Sequence, residues 1–122
     1  MTIAELRRLG ELKDIPAALD VTARLLARIP DCPYLLVRRG ILIQLGDDED
    51  DGLTLADAER CLLEANATDP MYLPALEELA HFYDAVRPHP QRARNYAQRY
   101  IQEAKPILEA MQSIASGQDE AN

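Results

Sequence analysis

Residues 58–83 of the chain read AERCLLEANATDPMYLPALEELAHFY, and the reading of this stretch decides the fold. Small or apolar residues fall at Ala58, Leu62 and Ala65, Pro70 interrupts, and a second series follows at Leu76, Leu79, Ala80 and Tyr83. At 3.6 residues per turn each series collects on one stripe, which predicts two amphipathic helices joined by a short turn and packed antiparallel. Ala65 and Ala80 place a small residue on each stripe, so the two backbones are expected to approach closely.

Toward the N-terminus, Pro30 and Pro33 bracket a turn, and YLLVRRGILIQLG predicts a helix that is apolar on more than one face and therefore buried between neighbours. Gly40 in mid-helix costs about 1 kcal/mol relative to Ala, which implies a packing reason for it. Leu45-Gly46 puts a glycine in the C-cap place. Before this, AALDVTARLLARI carries the stripe Ala18, Val21, Leu25, Leu26 and Ile29, with Asp14 as cap and Pro16 in the first turn. A first helix over residues 3–12 is read from Ile3, Leu6, Leu9 and Leu12 after a capping box of Thr2 and Glu5.

Toward the C-terminus, Thr54 or Asp57 caps the helix that holds Ala58. Asp69-Pro70 turns the chain into the next helix, residues 72–85, and Arg87-Pro88-His89-Pro90 breaks it again. The following helix carries Ala93, Ala97, Tyr100, Ile101 and Ala104, and the apolar series stays in phase through Leu108, Met111 and Ala115. Pro106 either kinks one long helix or opens a separate one over residues 106–116 that caps the array. The tail, residues 117–122, is expected to be disordered.

The same pattern recurs. Residues twelve, eight and five places before Pro70 are Ala58, Leu62 and Ala65; the same offsets from Pro30 give Ala18, Thr22 and Leu25. Leu76, Leu79, Ala80 and Tyr83 after Pro70 correspond to Leu36, Arg39, Gly40 and Ile43 after Pro30. With these residues the chain resembles the tetratricopeptide-repeat (TPR) family, most closely over Ala58–Tyr83, whose period is about 34 residues. The two prolines are 40 residues apart, and the acidic run Asp47 to Gly52 accounts for the surplus as an insertion. A third copy holds Ala93, Ala97 and Tyr100 at the offsets, with its proline one place late at Pro106; the first copy is degenerate, with Glu5 where an apolar residue is expected.

The resemblance implies an all-α fold: an α-α superhelix of about three antiparallel helix pairs (about 3–29, 33–67 and 71–104) with a C-terminal capping helix over about 106–116, in a single domain of residues 1–116. It implies a non-enzymatic protein–protein interaction module, a scaffold or adaptor that takes a peptide or helix of a partner in a groove lined by the first helix of each pair. The residues off the core stripe there are Arg7 on the first helix, then Tyr34, Val37, Arg38, Ile41 and Gln44. The later helix adds Glu77, Glu78, His81 and Asp84. Family members that grip carboxylates do so with Lys and Asn at these places; here they are largely apolar on one helix and acidic on another, which suits an apolar anchor flanked by Lys or Arg.

Composition narrows the choice of function. The 122 residues carry a net charge of -8, which works against nucleic acid and anionic membrane and favours a basic partner. Cys32 and Cys61 form no metal-type spacing, and no signal-peptide or membrane-length apolar run occurs, so a cytoplasmic protein with reduced thiols is expected. Asp47, Asp48, Glu49, Asp50 and Asp51 approach a calcium loop, but Ala58 stands where its bidentate Glu belongs, which leaves a solvated or partner-facing acidic loop. Glu78 and His81 have the i, i+3 spacing of half a di-iron site without its second half. No nucleophile with a base, phosphate loop, metal or cofactor site is read, so no enzyme is expected. The arginines of QRARNYAQRY (91–100) are read as exposed and Tyr100 as core, with no nucleic-acid role. A second function class fits size and charge equally: a small acidic immunity protein or antitoxin that neutralises a basic toxin or nuclease.

Overall fold

The computed structural model describes residue 4, residues 14–46 and residues 52–117. The expected first helix apart from Ala4, together with Arg7, the acidic run Asp47–Asp51 and residues 118–122, lies outside the described residues. Among the described residues five α-helices with given bounds follow one another and no strand occurs: α1 Ile15–Arg28, α2 Pro33–Leu45, α3 Leu55–Thr68, α4 Leu73–His81 and α5 Pro90–Ser116. The helix predicted over 72–85 thus ends its α-helical part early, and residues Phe82–Val86 continue it as a π-helical turn.

The helix starts are built from local chemistry. Asp14 accepts a hydrogen bond from the Ala17 amide at 3.3 Å, and Pro16, Pro33, Pro74 and Pro90 all occupy first-turn positions where a missing amide donor is harmless. Thr54 and Asp57 form a reciprocal capping box: the Asp57 carboxylate accepts from the Thr54 amide at 2.8 Å and the Thr54 hydroxyl accepts from the Asp57 amide at 3.4 Å. The Thr54 donors hold the Asp57 carboxyl below its ordinary pKa. His89, in the break that precedes α5, caps that helix by accepting from the Arg92 amide through Nδ1 at 3.3 Å.

Each helix packs on the next in sequence, and α2 also touches α4. The two-faced apolar pattern of α2 has the predicted result, with Leu35, Leu36, Val37, Gly40, Leu42 and Ile43 all buried. Ala18, Leu35, Ala58, Leu62, Ala65, Ala75, Leu76 and Leu79 have no exposed surface. Gly40 has the packing reason expected of it: a Cβ there would lie 2.9 Å from Leu62 Cδ2 and 3.3 Å from the Ala58 carbonyl oxygen, so α2 and α3 cross at van der Waals contact. Buried Thr22 satisfies its hydroxyl by donating to the Ala18 carbonyl at 2.6 Å. Ala80 is half-buried and lines a cleft beside α5, and the small residue of α4 with no exposed surface is Ala75.

The last helix departs most from expectation. α5 is one continuous helix of 27 residues with Pro106 inside it, so no separate capping helix begins at 106. The proline removes one ladder hydrogen bond, and its ring is exposed, so the helix carries on. No residue of α5 is buried. Tyr100, expected in the core, is half-buried. Gly117 closes the helix in the left-handed conformation, φ 68°.

Candidate functional site

Contact between α2 and α4 brings together residues forty positions apart. Arg38 of α2 lies close enough to Glu78 of α4 for its guanidinium to favour the carboxylate, as does His81 one turn along. Burial acts the other way and more strongly, and neighbouring Glu77 adds to it, so the Glu78 carboxyl is pushed above its ordinary pKa. Arg38 Nε is buried with no hydrogen-bond partner among the described residues. A half-buried carboxyl and a half-buried guanidinium of two helices thus lie within electrostatic range of each other on this face.

The structure divides the ten residues assigned to a groove. Tyr34, Arg38, Ile41 and Gln44 are half-buried on α2, whereas Val37 is 4% exposed and belongs to the core. Val37 presents no surface to a partner, because α2 is flanked by α1, α3 and α4 at once. Gln44 donates to the Gly40 carbonyl of its own helix at 3.1 Å. Glu77 is exposed. His81 and Asp84 are exposed as well, but they line a different space, a cleft of ≈ 440 Å³ between the end of α4 and the start of α5 that is also walled by Ala80, Ala93 and Ala97. Arg7 and the acidic residues Asp47 to Asp51 lie outside the described residues.

A second polar cluster has no signature in the sequence. Tyr83 donates its hydroxyl to Glu59 at 2.5 Å, Arg87 donates to the other oxygen of Glu59 at 2.8 Å, and Arg92 lies over the Tyr83 ring, 5.3 Å from its centroid. Tyr96 stacks on Tyr83 at 6.0 Å. Burial pushes the Tyr83 hydroxyl up to about 12, the hydrogen bond to Glu59 and its negative charge push the same way, and Arg92 opposes them. The partners are 24 and 28 residues apart, a separation that no motif spans. Arg99 donates to the Pro70 carbonyl at 3.0 Å and lies over Tyr96 at 5.7 Å. Arg92 and Arg99 are therefore not free cations on an open face: they fasten α5 to the body.

Cys61 is buried, and burial raises its thiol above its ordinary pKa, against the pull of Arg39, whose guanidinium donates to the sulfur at 3.6 Å. Among the described residues no group of three or more His, Cys, Asp and Glu side chains is placed to hold a metal ion, and no helix is long and apolar enough to cross a membrane. Comparison with protein-family models, with curated proteins and with solved structures finds no match for this chain.

Proposed function

We propose that the chain is a TPR-like helical-repeat module, an adaptor that binds a basic peptide or helix of a partner protein along the face where α2 and α4 meet. The observation that carries this reading is the contact of α2 with α4 past the intervening α3, the neighbour relation that stacked helix pairs require and a simple up-and-down bundle does not. The close crossing at Gly40, at the position matched by Ala80 in the next pair, supports the same stacking. On that face Tyr34 and Ile41 offer a shallow apolar surface, and Glu77 and Glu78 offer carboxylates. A partner segment with one apolar anchor between Lys or Arg residues is complementary to it. Glu78, already displaced from its ordinary pKa by burial, is the residue whose charge a cation would relieve.

The net charge of -8 also favours a second reading, an inhibitor that holds one basic toxin or nuclease in the manner of an immunity protein. The two differ in affinity and interface size: micromolar for a short peptide, nanomolar or tighter for a folded partner. Capture from a cytoplasmic extract at low salt and at about 0.5 M salt, with mass spectrometry of what is retained, separates them. The adaptor reading expects several partners held through short basic segments, each lost when Glu78→Lys replaces the wild type. One stoichiometric basic protein that survives Glu78→Lys would replace it with the inhibitor reading.

A further inference from the structure

We infer that the outer part of α5 is a dimer interface, in which the α5 helices of two copies of this chain lie antiparallel and cover each other's apolar stripes. Ala97, Ile101, Ala104, Leu108, Met111 and Ala115 follow one another at alternating spacings of four and three residues, the period of a helix-pairing seam. Ile107 and Ile114 widen the stripe on one side. Five of its large side chains are more than half exposed: Ile101 65%, Ile107 52%, Leu108 58%, Met111 53% and Ile114 67%. Lys105, Pro106 and Glu109 fall off the stripe, and Glu103 shares the flank of Ile107 and Ile114, at the rim of the seam rather than along its centre.

Two observations select a second copy as the occupant, and a third sets its direction. The first is area. The exposed side chains amount to on the order of 500 Å² per chain, so two copies face to face remove on the order of 1,000 Å² from water, the size at which a specific interface becomes tenable. The second is shape. An antiparallel overlay centred on Ala104 sets that small residue against its own copy, where the two backbones can approach closely, and lays the second copy's Met111 over Ala97 and its Ile107 against Ile101, twice over by symmetry. The third is charge. Each chain carries -8, and antiparallel pairing holds the two acidic bodies at opposite ends, whereas parallel pairing would set them side by side.

Sedimentation equilibrium of the full chain over a concentration series tests this. Wild type is expected at twice the 13.7 kDa chain mass at high concentration, dissociating in the micromolar range, and Leu108→Glu and Met111→Glu are each expected to sediment as single chains with unchanged helical circular dichroism. A double variant, Ala97→Cys with Met111→Cys, should form a covalent dimer under mild oxidation beyond the level seen for wild type, and Met111→Cys alone should not. The two sites are about 21 Å apart on one helix and cannot bridge within a chain. A wild type that stays at 13.7 kDa throughout overturns the proposal, including the case in which residues 1–13 cover the stripe from within. A dimer that survives both glutamates overturns it as well, and a dimer that Met111→Cys alone cross-links overturns the antiparallel arrangement.

Discussion

α2 and the outer half of α5 are both rich in apolar residues, and the fold treats them oppositely. In α2, six of 13 residues are buried; in α5, none of 27 is. The difference lies in neighbours rather than in composition. α2 is bounded by α1, α3 and α4, so its second apolar face also finds cover, whereas among the described residues the side-chain contacts that hold α5 come from its first turns, through Ala93, Tyr96 and the arginine contacts to Tyr83, Asn66 and Pro70. An apolar stripe states that a face needs covering and leaves open whether the same chain covers it.

The contrast can be broken most severely at the small residues of the interior. Ala65 has no exposed surface, so Ala65→Arg forces a charge and a long side chain into a helix crossing; a loss of more than about 4 kcal/mol is expected, and the variant should show no cooperative thermal transition at room temperature and above. Gly40→Val comes next. Its Cβ would meet Leu62, which is itself fully buried, so the helix-propensity gain is outweighed and urea melts should show a loss of about 2 kcal/mol.

The joint between the two regions responds more gently. Tyr83→Phe removes the hydrogen bond to Glu59 while Arg87 still pairs with that carboxylate, so a loss of about 1 kcal/mol is expected at pH 7. The pH dependence has a definite sign. A tyrosine ordinarily titrates at 10.0 and Tyr83 is raised to about 12, so its contribution is fully present below pH 10 and is lost as pH rises toward 12. Wild type and Tyr83→Phe melts should therefore converge across that window; parallel curves would mean that the hydroxyl does not couple α3 to the π-helical turn. Smallest of all, Leu108→Ser at chain concentrations below a micromolar should leave stability within about 0.5 kcal/mol of wild type, because 58% of Leu108 is already in water. The same substitution in a buried residue of α2 would be severe, and an equal cost at Leu108 would show that α5 is covered in the single chain.

Legibility in the sequence followed the range of the interactions. Asp14, the Thr54–Asp57 pair and the first-turn prolines act within three or four residues, and the helix starts they announce are where the structure has them. Gly40 was legible as an anomaly because a glycine in mid-helix needs a reason, and the reason is Leu62. Contacts such as Tyr83 with Glu59, Arg39 with Cys61 and Arg99 with the Pro70 carbonyl join positions 22 to 29 residues apart and leave no periodic trace. The candidate face suffered for the same reason: Val37 reads as a groove residue on a helical wheel, and only the arrival of a third neighbour puts it inside. The expectation of a separate helix after Pro106 failed because proline weakens a helix locally without dictating its end when the ring can face water.

The sequence by itself determined that this protein is helical, where its helices begin, and which one has two apolar faces, because capping, backbone restriction and periodicity are set by neighbours along the chain. Which of those faces are covered was decided only in the tertiary structure, since burial depends on where the other helices come to rest. That decision made α2 a core helix, put Arg38 within electrostatic range of Glu78, and left the outer stripe of α5 facing water.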